Sequence, residues 1–142
     1  MLVAQILKHK GAQVFTCTAD ETLTSASALL FARGVGAMVV MDGEAIAGMI
    51  SERDVVRAVA QGGAEALRQP VRRFMSGEVL TARLNETMDE LMSRMTDRRI
   101  RHLPVCENGR LVGIVSIGDL VKAKIESATR EAETLKAYIA AG

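Results

Sequence analysis

The 142-residue sequence is poor in aromatic residues, cysteine and proline, and it lacks long apolar runs. Its two cysteines lie far apart, which excludes a disulfide framework and leaves no Cys-x-x-Cys spacing for a zinc or redox site. No apolar stretch reaches the ~18 residues that a transmembrane helix needs. The first residues also lack a signal-peptide pattern, because their apolar run ends at Lys8. We therefore expect a cytoplasmic protein without a metal site and without membrane association.

An excess of charge of one sign is also absent. The 18 basic and 17 acidic residues leave a net charge of +1, which argues against nucleic-acid binding that depends on bulk charge. The sequence contains no Walker motif, no His-Glu-x-x-His motif and no nucleophile elbow. Gly34-Val35-Gly36 matches only the start of a dinucleotide fingerprint, in the reverse order of helix and strand. Nothing here indicates an enzyme.

The sequence contains an internal repeat with an offset of 65 residues. Residues 13–58 align without gaps on residues 78–123, and 11 of these 46 positions are identical, where about three would be expected by chance. Apolar character agrees at more positions still. The chain therefore consists of two copies of one supersecondary unit.

Each copy is predicted to fold as β-α-β-β-α, in the α/β (α+β) class. Apolar runs at 14–16 and 79–81 predict a first strand. Helical periodicity follows in both copies, with a capping box at Thr87 and Glu90 in the second and Gly34 ending the helix in the first. The predicted hairpin strands are 37–41 and 46–51, and 103–106 and 111–116, with turns at Asp42-Gly43 and Asn108-Gly109.

The predicted organisation is repeat 1 at 1–62, a linker at 63–70, repeat 2 at 71–124 and a C-terminal extension at 125–142. Each repeat has a short leading helix, at 3–7 and 71–75. The closing helix of the second repeat is expected to continue to about residue 140. Its apolar residues recur at alternating steps of four and three, which indicates a helix–helix contact between two chains or packing on the same chain. These residues are Val121, Ile125, Ala128, Ala132, Leu135 and Ile139.

The junction between the last strand and the closing helix carries the side chains suited to ligand chemistry. It runs from Gly48 to Asp54 in the first copy and from Gly113 to Asp119 in the second. A serine at a helix start offers a hydroxyl beside free backbone N–H groups, which suits phosphate. The Asp three residues later lies one turn away and accepts hydrogen bonds, as ribose hydroxyls require. Each copy therefore predicts a nucleotide site, with Ser51 and Asp54 in one and Ser116 and Asp119 in the other.

With this motif present twice in matching register, the sequence resembles a tandem pair of CBS domains (a Bateman module) from about residue 3 to 124. It is most similar to stand-alone bacterial proteins of this kind, and also to the regulatory modules of IMP dehydrogenase and the AMP-activated kinase γ subunit. The resemblance implies two pseudo-symmetric repeats packed through their sheets, with clefts between them. It implies an adenosine-containing ligand: AMP, ADP, ATP, NAD(H) or S-adenosylmethionine. It also implies a non-catalytic regulatory module, a homodimer and an effector protein that the sequence does not identify.

On this resemblance, Asp54 and Asp119 would bind ribose, and Ser51 and Ser116 would approach phosphate. Basic side chains in the two copies differ, so we expect unequal clefts, the better one holding Asp54. Further phosphate candidates are Arg53, Arg101 and His102, and the adenine is expected against Thr16, Thr18, Ala37 and Met38.

Plainer interpretations of the same residues stay open at this point. The two serines are equally suited to be helix N-caps, and the two aspartates to be first-turn acids favoured by the helix dipole. Arg53, Arg101 and His102 would then be surface residues. The clefts would be empty, and the protein would be an interaction or scaffold module.

Overall fold

The computed structural model describes residues 1–142 as a β-α-β-β-α unit followed by an α-β-β-α unit with a long final helix, in agreement with the predicted α/β fold class. The first unit comprises β1 (Thr16–Thr18), α2 (Leu23–Arg33), β2 (Ala37–Asp42), β3 (Ala45–Ser51) and α3 (Glu52–Gly62). The second comprises α4 (Met88–Arg98), β4 (His102–Glu107), β5 (Arg110–Ser116) and α5 (Ile117–Ala141). Helix α1 (Val3–Lys10) leads the chain, and 3-10 turns cover Gly63–Arg68 and Val71–Arg73.

The two central helices begin alike and end differently. Thr22 and Thr87 cap α2 and α4, because each hydroxyl accepts a hydrogen bond of 3.1 Å from the backbone N–H three residues later. The Glu90 side chain does not return to Thr87, so the predicted capping box is only half formed. Helix α2 ends at Gly34 with φ 63°, whereas α4 ends at Arg99 with φ 54°. The second unit therefore places a bulky residue in the left-handed conformation that glycine tolerates best.

The sheets confirm four of the six predicted strands closely. In the first unit β1 pairs parallel to β2, and β2 pairs antiparallel to β3; in the second unit only β4 and β5 pair. The predicted strand at 79–81 is wrong, since only Ala82 pairs with β4, through bonds of 2.8 and 2.9 Å to the backbone of Pro104 and Cys106. Phe15 packs on the first core just before β1, whereas its counterpart Leu80 is exposed. The residues before Ala82 therefore lack that anchor.

Each unit has its own apolar core, and the leading segments are exchanged between the two cores. Val3, Ile6 and Leu7 of α1 are buried against the second unit, with Leu91 and Leu103 among their neighbours in this core. Val71 is buried in the core of the first unit, with Phe74 and Met75 packed against it. The backbone follows the same exchange, because Val3 N donates to Glu86 O and Val71 N to Glu21 O. The second leading segment is a 3-10 turn ending at Arg73 rather than the predicted helix over 71–75.

The two sheets bury each other on the side away from the helices. Met38 and Val40 point into the helical core of the first unit, so Ala37 and Val39 must point to the opposite face. Both are nonetheless buried, at 8% and 0% exposure. The start of β4 in the other sheet lies on this side, since a Cβ placed on Gly36 would lie 3.9 Å from Cε1 of His102. The packing of the units through their sheets follows the prediction.

Helix α5 continues well past the second unit, as its apolar spacing predicts. Leu120 and Ala123 are its buried residues. Further along, Ile125, Leu135 and Ile139 are 61%, 58% and 68% exposed. The extension therefore carries an uncovered apolar stripe. None of the helices combines the length with the apolar character that a membrane span requires.

Candidate functional site

In each unit, strand register brings the start of the first hairpin strand, β2 or β4, beside the serine of the junction. Ala37 is paired with Ser51, and His102 is paired with Ser116. The first helical N–H is already bonded, since Glu52 N donates to Gly36 O at 3.0 Å and Ile117 N donates to Arg101 O at 2.8 Å. The two junctions are therefore built on the same backbone frame.

Serine and aspartate at each junction hold each other in a reciprocal cap. Ser51 Oγ accepts from Asp54 N at 3.2 Å, and Asp54 Oδ2 accepts from Ser51 N at 2.9 Å. Ser116 and Asp119 form the corresponding bonds at 3.1 and 2.8 Å. These contacts fix each carboxylate at the first turn of its helix. They also fulfil the plainer expectation that these residues cap helices, which does not prevent the free lone pairs from meeting a ligand.

The carboxylate of Asp54 has no strongly bound cation. Its Oδ2 also accepts from Ser51 Oγ at 2.9 Å, and its Oδ1 lies 3.5 Å from Nη1 of Arg57. The Arg57 side chain is 58% exposed and one turn away on the same helix. An exposed pair of this kind contributes little, so Arg57 competes only weakly for the lone pairs of Asp54 Oδ1, on a side chain that is 17% exposed.

The carboxylate of Asp119 instead meets a lysine from the other end of the chain. Lys10 Nζ lies 2.5 Å from Asp119 Oδ2 and 2.7 Å from the carbonyl oxygen of Ile114. Burial opposes ionisation of Asp119, but the hydrogen bonds from Lys10 and Ser116 outweigh it and lower the pKa of this carboxyl. Both partners are half-buried, at 30% and 25% exposure of their side chains.

His102 is half-buried beside this ion pair. Burial has the largest effect on the pKa of His102 and lowers it. The charge of Lys10 lowers it further, whereas the charge of Asp119 raises it. The imidazole is therefore held in its neutral form near pH 7, in which it offers one donor and one acceptor. Arg101 is exposed next to it and adds a further positive charge.

The remaining predicted residues are only partly brought together. Arg53 is exposed on the first turn of α3, close in sequence to Asp54. Thr16 pairs with Val39, two residues from Ala37 along β2, and is exposed. Thr18 pairs with Met41, four residues from Ala37 and therefore ~13 Å further along the strand. Met38 is completely buried in the core of the first unit, so its side chain offers a ligand no surface.

A groove of about 400 Å³ lies between α1 and α5, beside the Lys10–Asp119 pair. Its lining contains both basic and acidic side chains, so the groove carries no strong excess of one sign. Its charged lining comprises His9, Lys10, Asp119, Lys122 and Glu126, with Met1, Ile6 and Ala123 supplying the apolar part.

Sequence reasoning missed Lys10 and Arg57. Arg57 could have been found, because it lies three residues after Asp54 on a predicted helix. Lys10 is 109 residues from Asp119, and no periodicity links residues at that separation. Only the exchange of the leading segments between the two cores brings them together.

Comparison with known proteins agrees with this architecture. The family model described as CBS domain matches the chain twice, at residues 3–61 and 71–126. The chain is a member of the CBS domain family. A CBS-domain containing protein of Agrobacterium tumefaciens has a crystal structure that is 45% identical, with a TM-score of 0.85, over 87% of this chain and 99% of that one.

Among curated CBS proteins, the mitochondrial CBS domain-containing protein CBSX3 of Arabidopsis thaliana is 34% identical over 99% of this chain and 72% of its own length. The CBS domain-containing protein YhcV of Bacillus subtilis is 34% identical over 76% of each chain. The CBS domain pair of protein MJ0100 was crystallised with 5′-methylthioadenosine and S-adenosyl-L-methionine. It is 23% identical, with a TM-score of 0.79, over 89% of this chain and 98% of that one, and its likeness is one of fold.

Proposed function

We propose that this CBS pair is a non-catalytic regulatory module that binds an adenosine-containing nucleotide, and that its principal site is the junction of Ser51 and Asp54. The single observation that carries the proposal is the carboxylate of Asp54, which is fixed at a helix N-terminus beside the start of β2 and contacts no cation from another element. The ligand classes are AMP, ADP, ATP and NAD(H), with S-adenosylmethionine as a further candidate. The complexes of MJ0100 support the adenosine class by analogy of fold.

Each group at this junction has a role that follows from its chemistry. The Asp54 carboxylate accepts hydrogen bonds and so suits the two neighbouring hydroxyls of a ribose. Ser51 and the first turn of α3 present a hydroxyl and the positive end of the helix dipole to a phosphate. Arg53, exposed on that turn, extends the cationic surface toward the phosphates. The adenine would lie against the strands near the exposed Thr16, and Ala37 would contribute little side-chain surface because it is 8% exposed.

The test is a thermal-shift panel with AMP, ADP, ATP, NAD⁺, NADH and S-adenosylmethionine. A ligand at 100 times its Kd adds about 2.7 kcal/mol to the free energy of unfolding, which is a shift of several degrees for a chain of this size. Asp54→Ala is expected to weaken binding at least about tenfold, or ~1.4 kcal/mol. Asp97→Ala, which removes an exposed acid on α4, is the matched control. A scaffold module with empty clefts would show no shift with any of the six.

The regulatory assignment also predicts that the bound nucleotide is not consumed. Incubation of the protein with ATP and Mg²⁺ should leave the ATP intact over hours, as followed by chromatography. Turnover above that of a heat-treated sample would replace the regulatory proposal with a nucleotide hydrolase.

We further propose that the module acts as a homodimer and that the extension of α5 forms part of the contact. The stripe of Ile125, Leu135 and Ile139 is exposed and spaced as a heptad seam, and Ala128 and Ala132 between them permit close approach of two helices. Light scattering after size-exclusion chromatography should give twice the 15.3 kDa mass of one chain. Leu135→Glu with Ile139→Glu should shift the mass toward the monomer, and a wild-type monomer would contradict this assignment.

A further inference from the structure

The two junctions differ most in what contacts their carboxylates, and the difference arises from the leading segments. Val3 N donates to Glu86 O at 2.9 Å, and Val71 N donates to Glu21 O at 2.8 Å. Because Glu86 is the repeat counterpart of Glu21, the two segments dock in the same way. They then diverge, since α1 remains helical to Lys10 whereas the other segment leaves its 3-10 turn at Arg73.

Because the two leading segments differ after their docking point, equivalent backbone carbonyls in β3 and β5 accept hydrogen bonds from different groups. After the 3-10 turn, Ser76 runs beside β3, and its backbone N–H donates to the carbonyl of Met49 at 2.9 Å. The carbonyl of Ile114 is the counterpart of Met49, and it accepts instead from Lys10 Nζ at 2.7 Å. The lysine thus brings a positive charge to a place where the first unit has a neutral amide.

From that position Lys10 also reaches the carboxylate of the junction. Its Nζ lies 2.5 Å from Asp119 Oδ2, the oxygen that also accepts from Ser116 N. Asp54 has no corresponding partner beyond the exposed Arg57 of its own helix. Helix α1 is held by three buried apolar residues and ends directly after Lys10, at Gly11 with φ 98°. The ammonium is therefore delivered by a docked element and not by a mobile tail.

We propose that Lys10 is an internal occupant of the second junction, which keeps adenosine nucleotides out of it and limits the chain to one nucleotide, at Asp54. The ammonium takes the place that ribose hydroxyls would need on Asp119. A nucleotide entering there must exchange a charge-assisted, half-buried hydrogen bond for neutral ones, which weakens its binding by about tenfold or more. This inference rests on the proposed function, because it assigns a stoichiometry to that nucleotide binding.

The experiment counts bound nucleotides by isothermal titration of AMP and, in parallel, ATP. The wild type should bind one per chain, and Asp54→Asn should weaken that event. Lys10→Met removes the ammonium and keeps the side-chain length, so a second nucleotide should bind, about tenfold tighter at this junction than in the wild type. Lys10→Arg retains the cation and should keep the count at one. Lys8→Met, on an exposed lysine of the same helix, should do the same.

The outcomes separate the inference from the proposed function. Two nucleotides bound to the wild type, or one bound to both the wild type and Lys10→Met, would contradict the role proposed for Lys10. Either result would leave the proposal of nucleotide binding intact. A nucleotide bound to Lys10→Met but not to the wild type would support the role proposed for Lys10 and would contradict the site at Asp54. No binding to either protein would overturn both. A double-mutant cycle of Lys10→Met and Asp119→Asn in urea unfolding checks the contact itself, and zero coupling would contradict it.

Discussion

The two halves of the molecule share one fold and one Ser-x-x-Asp cap but surround it with different charged groups. In the first half the cap faces the small residues Gly36 and Ala37, and Asp54 has only the exposed Arg57 near it. In the second half the corresponding positions are basic, and Lys10 binds Asp119 directly. A repeat can therefore keep the same backbone frame at two caps while neighbouring segments set which charged groups contact each carboxylate.

The largest expected difference between the halves is in the loss of stability when the glycine before each cap is replaced by alanine. A Cβ at Gly48 would lie 2.5 Å from the backbone oxygen of Ser76, which cannot move without breaking its pairing with β3. For a Cβ at Gly113 the nearest atoms belong to the Leu7 side chain, with its two methyl groups at 2.7 and 2.8 Å. We expect Gly48→Ala to destabilise by about 3 kcal/mol and Gly113→Ala by about 1 kcal/mol. Urea unfolding measures both, and equal losses would contradict the difference in packing.

Exchange of the leading segments predicts where the structure loosens. Val3 and Val71 are both fully buried, and truncation to alanine should cost about 1–3 kcal/mol in each case. Val3→Ala should speed amide hydrogen exchange in β4 and β5, in the other half of the chain from the substitution. Val71→Ala should instead speed exchange in β2 and β3. Faster exchange confined to the sequence repeat that carries the substitution would contradict the exchanged cores.

A substitution at the end of α4 would make the two halves more alike. Arg99 has φ 54° where its counterpart Gly34 has φ 63°. Arg99→Gly should raise the free energy of unfolding by about 1 kcal/mol, because glycine adopts this conformation without the steric cost of a Cβ. Gly34→Arg should lower it by a similar amount. Thermal unfolding of the two variants is the measurement, and a destabilised Arg99→Gly protein would contradict the assignment.

The smallest expected effect is on the pH dependence of the free energy of unfolding. It arises only in the second half, from His102, whose counterpart in the first half is Ala37. Burial lowers the pKa of His102 below its ordinary 6.5, so the unfolded chain binds the proton more readily than the folded one. The resulting stability is complete above pH 6.5 and is lost as the pH falls below that value through the lower pKa of the folded state. Urea unfolding at pH 7.5 and 5.5 should differ by a contribution below about 1 kcal/mol. His102→Ala should remove that contribution, and an unchanged pH dependence would contradict it.

Sequence patterns predicted most of the secondary structure because repeats and helical periodicity are local signals. The caps at Ser51 and Ser116, the starts of α3 and α5 and the end of α2 at Gly34 were all readable from spacing. The register of the hairpins then placed Ala37 beside Ser51 and His102 beside Ser116. Those predictions depended on neighbours close in the chain.

What the sequence did not reveal depends on contacts between distant segments. The strand expected at 79–81 fails because Leu80 lacks the packing that Phe15 has. Met38 was expected near a ligand, but alternation along β2 directs it into the core. The Lys10–Asp119 pair joins the two ends of the repeat array, and no local pattern encodes it.

The measurement that tests the central claim most directly is a pair of nucleotide titrations on Asp54→Asn and Asp119→Asn. Asparagine retains a carbonyl oxygen for the cap, so both proteins should stay folded while each loses one carboxylate. Using AMP by isothermal titration, we expect Asp54→Asn to weaken binding at least about tenfold and Asp119→Asn to leave the wild-type affinity unchanged. Equal losses, or a loss with Asp119→Asn alone, would contradict the unequal sites.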